Sequence, residues 1–408
     1  MEQALLEINH CNKCGFCLPA CPTYQLTHNE LDSPRGRIAM VEGVLHGEIP
    51  ADQGLEESLS YCLGCRACET ACPSGVRYHL VLEAGRATLD KTRPGHRGMT
   101  LLPKMLLRLT RHPRRLRRFA QLGRKVRNLP MPRRLQALTP MLAYQAEPIA
   151  PDALSEPATH GAAFFSGCVQ EALFSDANQA AETLLRAAGY DVINPPQQTC
   201  CGAIAWHAGR TEEARRLAKV NIEAFEVTGN VPVANTAGGC GAMLTEYEEL
   251  FQGDPQWEER ARRFSERVHD WSRLLLEAPR PLTFMGQGEK VSLQNSCHLV
   301  NVEKEGEGPL ALIQQVEEDA FVSLPSQDRC CGSAGIYNIQ HPDWAGRILD
   351  GKMGEIQDVA PDRLLVVNPG CAMQMTLGVE RYGSSTVVEH LARYLYRAWR
   401  KAQGGNQA

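Results

Sequence analysis

The sequence has no run of about 18 or more consecutive apolar residues, so no membrane-spanning helix is expected. It has no Gly-x-Gly-x-x-Gly behind a strand: Gly286-Gln287-Gly288 runs into Glu-Lys-Val, and no dinucleotide site is expected. It has no P-loop string, which excludes the common nucleotide triphosphatases. The stretch MEQALLEINHC is polar and lacks a secretory pattern, so a reducing, cytoplasmic setting is expected. Acid is missing locally. Residues 91–135 hold 15 Lys and Arg and no Asp or Glu, although the 408-residue chain carries net charge −4. Residues 1–90 sum to −6 and residues 136–408 to −13, so the asymmetry is strong. No nucleic-acid reading motif accompanies the basic stretch, and no nucleic-acid partner is expected.

Cysteine, by contrast, is abundant: the chain has 16. Eight fall in two copies of C-x2-C-x2-C-x3-C-P. The first is Cys11, Cys14, Cys17, Cys21 and Pro22; the second is Cys62, Cys65, Cys68, Cys72 and Pro73. Three thiols two residues apart come from one tight loop, and a cubane needs a fourth from elsewhere. The proline turns the chain away after the fourth Cys. Structural zinc and disulfides are the competing readings, but zinc sites show paired Cys units separated by a spacer.

The run is similar to the bacterial ferredoxin signature for [4Fe–4S] clusters, in which the fourth Cys of each run serves the other cluster. That resemblance implies one cluster on Cys11, Cys14, Cys17 and Cys72, and a second on Cys62, Cys65, Cys68 and Cys21. Between the runs, Ser33-Pro34-Arg35-Gly36-Arg37 leads into IAMVEGVLHG, where Ile38, Val41 and Leu45 have helical spacing and Gly47 is placed to close the helix. Further helices are expected over 54–61 and 78–90. This long insert resembles the helical cluster domain of succinate dehydrogenase-type subunits. Arg35 and Arg37 suit either partner docking or a helix start at the surface.

Within the basic segment, Met105, Leu106, Leu109, Leu116, Phe119 and Leu122 form a partial apolar stripe. Three readings stay open: a helix on anionic lipid, a dock for an acidic subunit, or a linker packed on the cluster domain. Residues 136–158, rich in Pro and Ala, are expected to be a linker.

From about 160 the chain repeats itself. Cys168, Cys200-Cys201-Gly202 and Cys240 are matched by Cys297, Cys330-Cys331-Gly332 and Cys371. The gaps are 32 against 33, and 39 against 40. Apolar strand-like runs enter Cys168, Cys240, Cys297 and Cys371. Helix-like runs follow, such as 176–188 closed by Gly189. This predicts α/β units with Cys loops at strand ends, where open sheets bind ligands. Each copy is expected to end in a helix, over 268–277 and 387–399. His207, His298, Ser166 and Ser333 lie near the Cys loops. They are candidates either for ligand or sulfur-bonding roles or for ordinary structural ones.

The Cys…Cys-Cys-Gly…Cys pattern, met twice, resembles the cysteine-rich CCG domain of heterodisulfide reductase and its relatives. Behind a two-cluster ferredoxin domain it is similar to the glycolate oxidase iron–sulfur subunit family. CGFCLPACPTYQL at 14–26, ELDSPRGRI at 30–38 and CETACPSGVRYH at 68–79 carry the likeness. Subunits of lactate-utilisation and anaerobic glycerol-3-phosphate dehydrogenase systems are alternatives, as is a heterodisulfide-reductase-like thiol enzyme. One departure counts against that last reading. The fuller motif ends in C-x2-C, but Met243 and Gln374 stand at the final position here. The eight Cys of the repeats hold either a further cluster or metal-free thiols.

The expected fold is α+β. A helical two-[4Fe–4S] ferredoxin-like domain covers 1–90, the basic segment and linker 91–158, and a duplicated α/β CCG domain 159–280 and 281–408. Oxidising a hydroxy acid removes a hydride, which needs a flavin or nicotinamide. The chain shows no catalytic residues for that step. The resemblance therefore implies an electron-transfer subunit. It also implies FAD on a partner chain that converts glycolate to glyoxylate, a quinone as acceptor, and a peripheral position on the cytoplasmic face of the inner membrane.

Overall fold

The computed structural model describes residues 2–92, 113–123, 157–207 and 209–404, with positions 109, 139, 144, 146, 147 and 149 between them. Among the described residues the fold is mixed: helices occur in both parts of the chain, and the short parallel strands lie from His160 onward.

The amino-terminal part is helical. Ser33 caps the helix Pro34–Leu45 by accepting from the Gly36 N–H at 2.9 Å, and Pro34 occupies the first turn, where its missing N–H costs nothing. A Cβ on Gly36 would lie 2.0 Å from the Glu30 carbonyl oxygen, so only glycine fits there. Gly47, at φ 75°, follows the helix as its spacing predicts. Asp52 caps Gln53–Ser60, and Tyr78–Thr92 completes the group. Ile8, Ile38, Val41, Leu55, Leu59 and Val81 form its core.

Seven strands follow. β1 (His160–Phe165), β2 (Tyr190–Ile193), β3 (Val233–Asn235) and β4 (Val268–Asp270) form one parallel sheet in the order β2-β1-β3-β4. β5 (Val291–Gln294), β6 (Arg363–Val366) and β7 (Val387–His390) form a second, in the order β5-β6-β7. A single parallel bridge, Val291 with Phe321, stands where the second copy would have its counterpart of β2. The duplication in sequence is thus a duplication in topology. The strands are short; β3 and β5 are buried throughout, as parallel strands covered by helices are, whereas β2 alternates between buried and exposed positions.

The expectation of helices over 268–277 and 387–399 needs correcting. Each stretch opens as a strand, β4 and β7, and turns helical only at Trp271–Leu276 and Leu391–Ala402. Val268, Val387 and Val388 favour the ladder, where Val268 pairs with Val233 and Val388 with Leu364. Asp270 and His390 then cap the helices by accepting from Ser272 and Ala392 N–H.

One apolar core joins the two copies. Phe164, Leu184 and Trp271 of the first pack with Leu293, Leu365 and Tyr394 of the second.

The helix Pro113–Gly123 is the described part of the basic segment. Leu116 and Ala120 are buried, and they share a core with Leu173, Phe174 and Met375. Leu109 and Phe119 pack against that core, while Leu122 is exposed. Arg117 donates to the carbonyls of Glu171 and Ala172. This helix, Pro113–Gly123, has Leu116 and Ala120 covered by the protein but not Leu122. Its support is the CCG repeats rather than the cluster domain. Met105, Leu106 and most of the 136–158 linker lie outside the described residues. Among the described residues, no helix is long and apolar enough to cross a membrane.

Candidate iron–sulfur sites

The two amino-terminal runs wrap in the same way. The residue before the second Cys is left-handed in each, Lys13 at φ 53° and Gly64 at φ 64°. So is the residue after it, Gly15 at φ 92° and Arg66 at φ 61°. Two non-glycine residues held in that sparse region mark a loop shaped for something at its centre.

The fourth cysteines cross over. Cys72 lines one pocket with Cys11, Cys14 and Cys17. Cys21 lines another with Cys62, Cys65 and Cys68. Tyr78 and Cys68 border both. The first pocket is the outer one: Cys14 is exposed, and Phe16 beside it is 66% exposed. In the second, Cys21 and Cys65 are buried. Polar groups reach the sulfurs of the second pocket. Gly64 N–H donates to Cys62 Sγ at 3.4 Å, the Tyr78 hydroxyl lies 3.7 Å from the same sulfur, and the Thr23 hydroxyl lies 3.2 Å from Cys21 Sγ. Such contacts set cluster potentials. Burial pushes the Cys65 and Cys68 thiols well above their ordinary range, so thiolates here require a compensating cation. Four thiols around a shaped, partly dry hollow suit an iron–sulfur cluster, and both hollows fit one.

Each CCG repeat also gathers its four thiols. Cys168 Sγ lies 3.5 Å from Cys200 Sγ, and Cys201 Sγ lies 3.4 Å from Cys240 Sγ. In the second copy Cys331 Sγ is 3.3 Å from Cys371 Sγ, and Cys330 bonds Cys297 and Cys331. Hydrogen bonding to Cys200, together with burial, pushes the Cys168 thiol up. Hydrogen bonds from Cys330 and Cys371 pull Cys331 down. The missing fifth position is filled differently in the two copies. Met243 is core. Gln374 is buried and accepts from Asn338 Nδ2 at 3.1 Å.

The other candidates fall mainly to structural roles. His298 Nε2 donates to the Gly64 carbonyl at 3.0 Å, which ties the second copy to a cluster loop. His207 faces His298 with ring centroids 5.6 Å apart, and burial lowers its pKa to about 3. Ser166 bonds Asn194 and Gln198 in a turn. Ser333 reaches Cys331 through its backbone N–H, not its hydroxyl. Arg35 pairs with Glu30 at 2.7 Å and caps the Lys13 carbonyl at 3.0 Å. Arg37 is 1% exposed and so is no surface dock. Tyr78, Thr23 and Asn301 were not among the expected site residues; Thr23 and Tyr78 lie inside the strings at 14–26 and 68–79, and Asn301 has no local signal.

The second pocket abuts the second copy directly. Asn301 Nδ2 donates to the Cys65 carbonyl at 2.9 Å, and Cys65 shares an apolar cluster with Cys297 and Cys330. Tyr61 stacks on Trp344 at 4.3 Å. On the side of the first copy, Arg66 pairs with Glu246, and His79 pairs with Glu249 at 2.8 Å.

Fold and site together define an iron–sulfur protein of ferredoxin-plus-duplicated-cysteine-rich architecture. Residues 7–76 match the 4Fe-4S dicluster domain, and residues 162–245 and 291–376 match the Cysteine-rich domain. The chain is 38% identical to the probable glycolate oxidase iron-sulfur subunit of Bacillus subtilis, over 96% of this chain and 94% of that one. It is 33% identical to the glycolate oxidase iron-sulfur subunit of Escherichia coli, over 88% of each. Lactate utilization protein A of Shouchella clausii is 30% identical over 57% of this chain and 96% of its own length. The chain belongs to the family of glycolate oxidase iron–sulfur subunits, and so to the iron–sulfur subunits of oxidoreductases.

Proposed function

We propose that this chain carries electrons away from a flavin-containing partner that oxidises glycolate to glyoxylate, toward a quinone. The observation that carries the reading is that Cys72 lines the pocket of Cys11, Cys14 and Cys17 while Cys21 lines that of Cys62, Cys65 and Cys68. Cys11, Cys14, Cys17 and Cys72 hold one [4Fe–4S] cluster; Cys62, Cys65, Cys68 and Cys21 hold the other. The thiols of Cys168, Cys200, Cys201 and Cys240, and of Cys297, Cys330, Cys331 and Cys371, are the candidates for a further cluster. Bound there, such clusters supply one-electron steps, which suit them to drain a two-electron flavin.

The chain's own residues do the rest. The exposed rim at Cys14 and Phe16 suits contact with a partner. Burial of Cys21 and Cys65 keeps water from the second site. Asn301 and His298 hold its loop against Cys297, so the path continues into the second repeat. Glycolate is preferred over lactate because the glycolate oxidase relatives align with nearly the whole chain, whereas the lactate utilization proteins match 57% of it.

Peripheral attachment at the cytoplasmic face of the inner membrane is assigned to exposed Arg114, Arg115 and Arg118 on the helix Pro113–Gly123. Attachment through these charges is lost at high salt, and Arg114→Gln, Arg115→Gln, Arg118→Gln together weaken it at low salt.

Anaerobic iron and sulfide analysis with paramagnetic resonance of the reduced chain tests the ligation. About eight irons or more are expected, four per cubane. A colourless, iron-free protein would end this reading. Glycolate-dependent reduction of the chain by its flavin partner tests the role.

A further inference from the structure

Arg37 is fully enclosed, yet its guanidinium is incompletely satisfied. Nε donates to the Ser58 carbonyl at 2.8 Å and Nη1 to the Thr23 hydroxyl at 3.1 Å. Both acceptors are neutral. Nη2 has no hydrogen-bond partner among the described residues. A buried cation in that state is costly unless something anionic faces it. What it faces is the second pocket: Arg37 lines the hollow with Cys21, Cys62, Cys65 and Cys68. The buried acid of the same segment is Asp32. The acid itself is engaged elsewhere, accepting from the Thr27 hydroxyl at 2.8 Å.

Among the described residues the first pocket has no such companion. Lys13 and Arg35 near it are paired to Glu42 and Glu30 and are part-exposed, so solvent and carboxylates screen them. The two hollows share a cysteine pattern but differ in one buried, unneutralised charge.

We propose that Arg37 is the counter-charge of the cluster held by Cys21, Cys62, Cys65 and Cys68, its free Nη2 donating to that cluster and raising its reduction potential. This rests on the ligation set out under Proposed function. A cubane on four thiolates is anionic and gains one more negative charge on reduction. A fixed cation therefore stabilises the reduced form more than the oxidised form. One electron leaves the outer cluster and one enters the inner cluster, with no proton or ligand exchanged. Arg37 would favour that transfer, from the exposed rim toward the second repeat.

At an effective dielectric of about 20 and a separation of about 6 Å, removing one unit charge changes the reduction equilibrium about a hundredfold. That is about 120 mV, at about 59 mV per tenfold for a one-electron couple.

The test is a potentiometric titration, followed by paramagnetic resonance, of the full chain carrying its clusters. Arg37→Gln, which keeps donors but loses the charge, is expected to lower one midpoint by about that amount and leave the other in place. Arg37→Lys, which keeps the charge, recovers more than half of the shift. Unchanged midpoints in a fully loaded Arg37→Gln protein overturn the proposal while leaving the ligation intact. An iron-free wild-type chain overturns the ligation itself. If Arg37→Gln fails to fold, wild-type protein labelled with guanidino-15N arginine decides the matter. The proposal requires a 15N coupling at the reduced inner cluster that Arg37→Lys abolishes, and its absence from the wild type refutes the proposal.

Discussion

His79 makes the junction between the cluster domain and the first repeat dependent on pH. Its Nδ1 lies 3.0 Å from Glu69 and its Nε2 lies 2.8 Å from Glu249, so both ring nitrogens face carboxylates. Burial alone would lower its pKa. The hydrogen bonds to Glu249 and Glu69 overcome that and raise it to about 9, from an unperturbed 6.5. A histidine whose folded pKa is raised adds stability that is complete below about 6.5 and is lost as pH climbs through about 9. At pH 7 the linkage is worth about 2 to 3 kcal/mol, and near pH 10 almost nothing. The carboxylates Glu69 and Glu249 then stand against each other without a cation between them, except for Arg66.

The assay is native-state hydrogen exchange of the helix Tyr247–Leu250, corrected for the intrinsic pH dependence of exchange and run anaerobically on wild type and His79→Gln. Wild-type protection is expected to fall about seventyfold between pH 7 and pH 10 relative to the variant. Parallel profiles for the two proteins over that range would refute the assignment.

Four further outcomes follow from the same structure. Gly36→Ala drives a methyl group to 2.0 Å from the Glu30 carbonyl oxygen and is expected to cost about 2 kcal/mol or more, whereas Gly351→Ala, with nothing within 4 Å in the helix Pro342–Val359, stabilises by about 0.5–1 kcal/mol; thermal unfolding of the two reads the contrast. Burial, opposed by hydrogen bonds to Ser272, raises the Asp270 carboxyl from 3.8 to about 7. Its contribution is present below about pH 4 and lost as pH rises through about 7, a span of about 4 kcal/mol that Asp270→Asn removes while keeping the cap. Denaturant titrations of both proteins across pH 4–8 measure it. Cys65→Ser is expected to halve the iron of the amino-terminal pair and stop electron delivery while the flavin partner is still reduced by substrate; stopped-flow spectra separate the two half-reactions.

The cysteine spacing made the two amino-terminal pockets and the duplication legible, because metal loops and strand-end loops impose fixed residue counts. Cys72 lines the pocket of the first run and Cys21 that of the second, and the expectation of such a crossover came from the ferredoxin resemblance rather than from spacing alone. What the sequence hid were features set by distant packing. β4 and β7 are three and four residues long and run straight into helices, so their period was masked by the helical pattern that follows. Arg37 sits in a polar, charged string that suggests a surface, and only the closure of Ser58 and Tyr78 over it makes it interior. The basic segment left three readings open from its stripe alone; the contact of Leu116 and Ala120 with Leu173 and Phe174, more than fifty residues on, has no local signal in the string.

The hydrophobic seam shared by Phe164, Leu184, Leu293 and Tyr394 has an evolutionary consequence. Two ancestral copies that pool their interior cannot later be parted, since either alone would expose a wet wound where its twin had been. Each half is instead free to specialise chemically while leaning on the other for shape. Where the first copy has the strand β2, the second has only the bridge of Val291 with Phe321, so the two halves already differ in shape while sharing one interior.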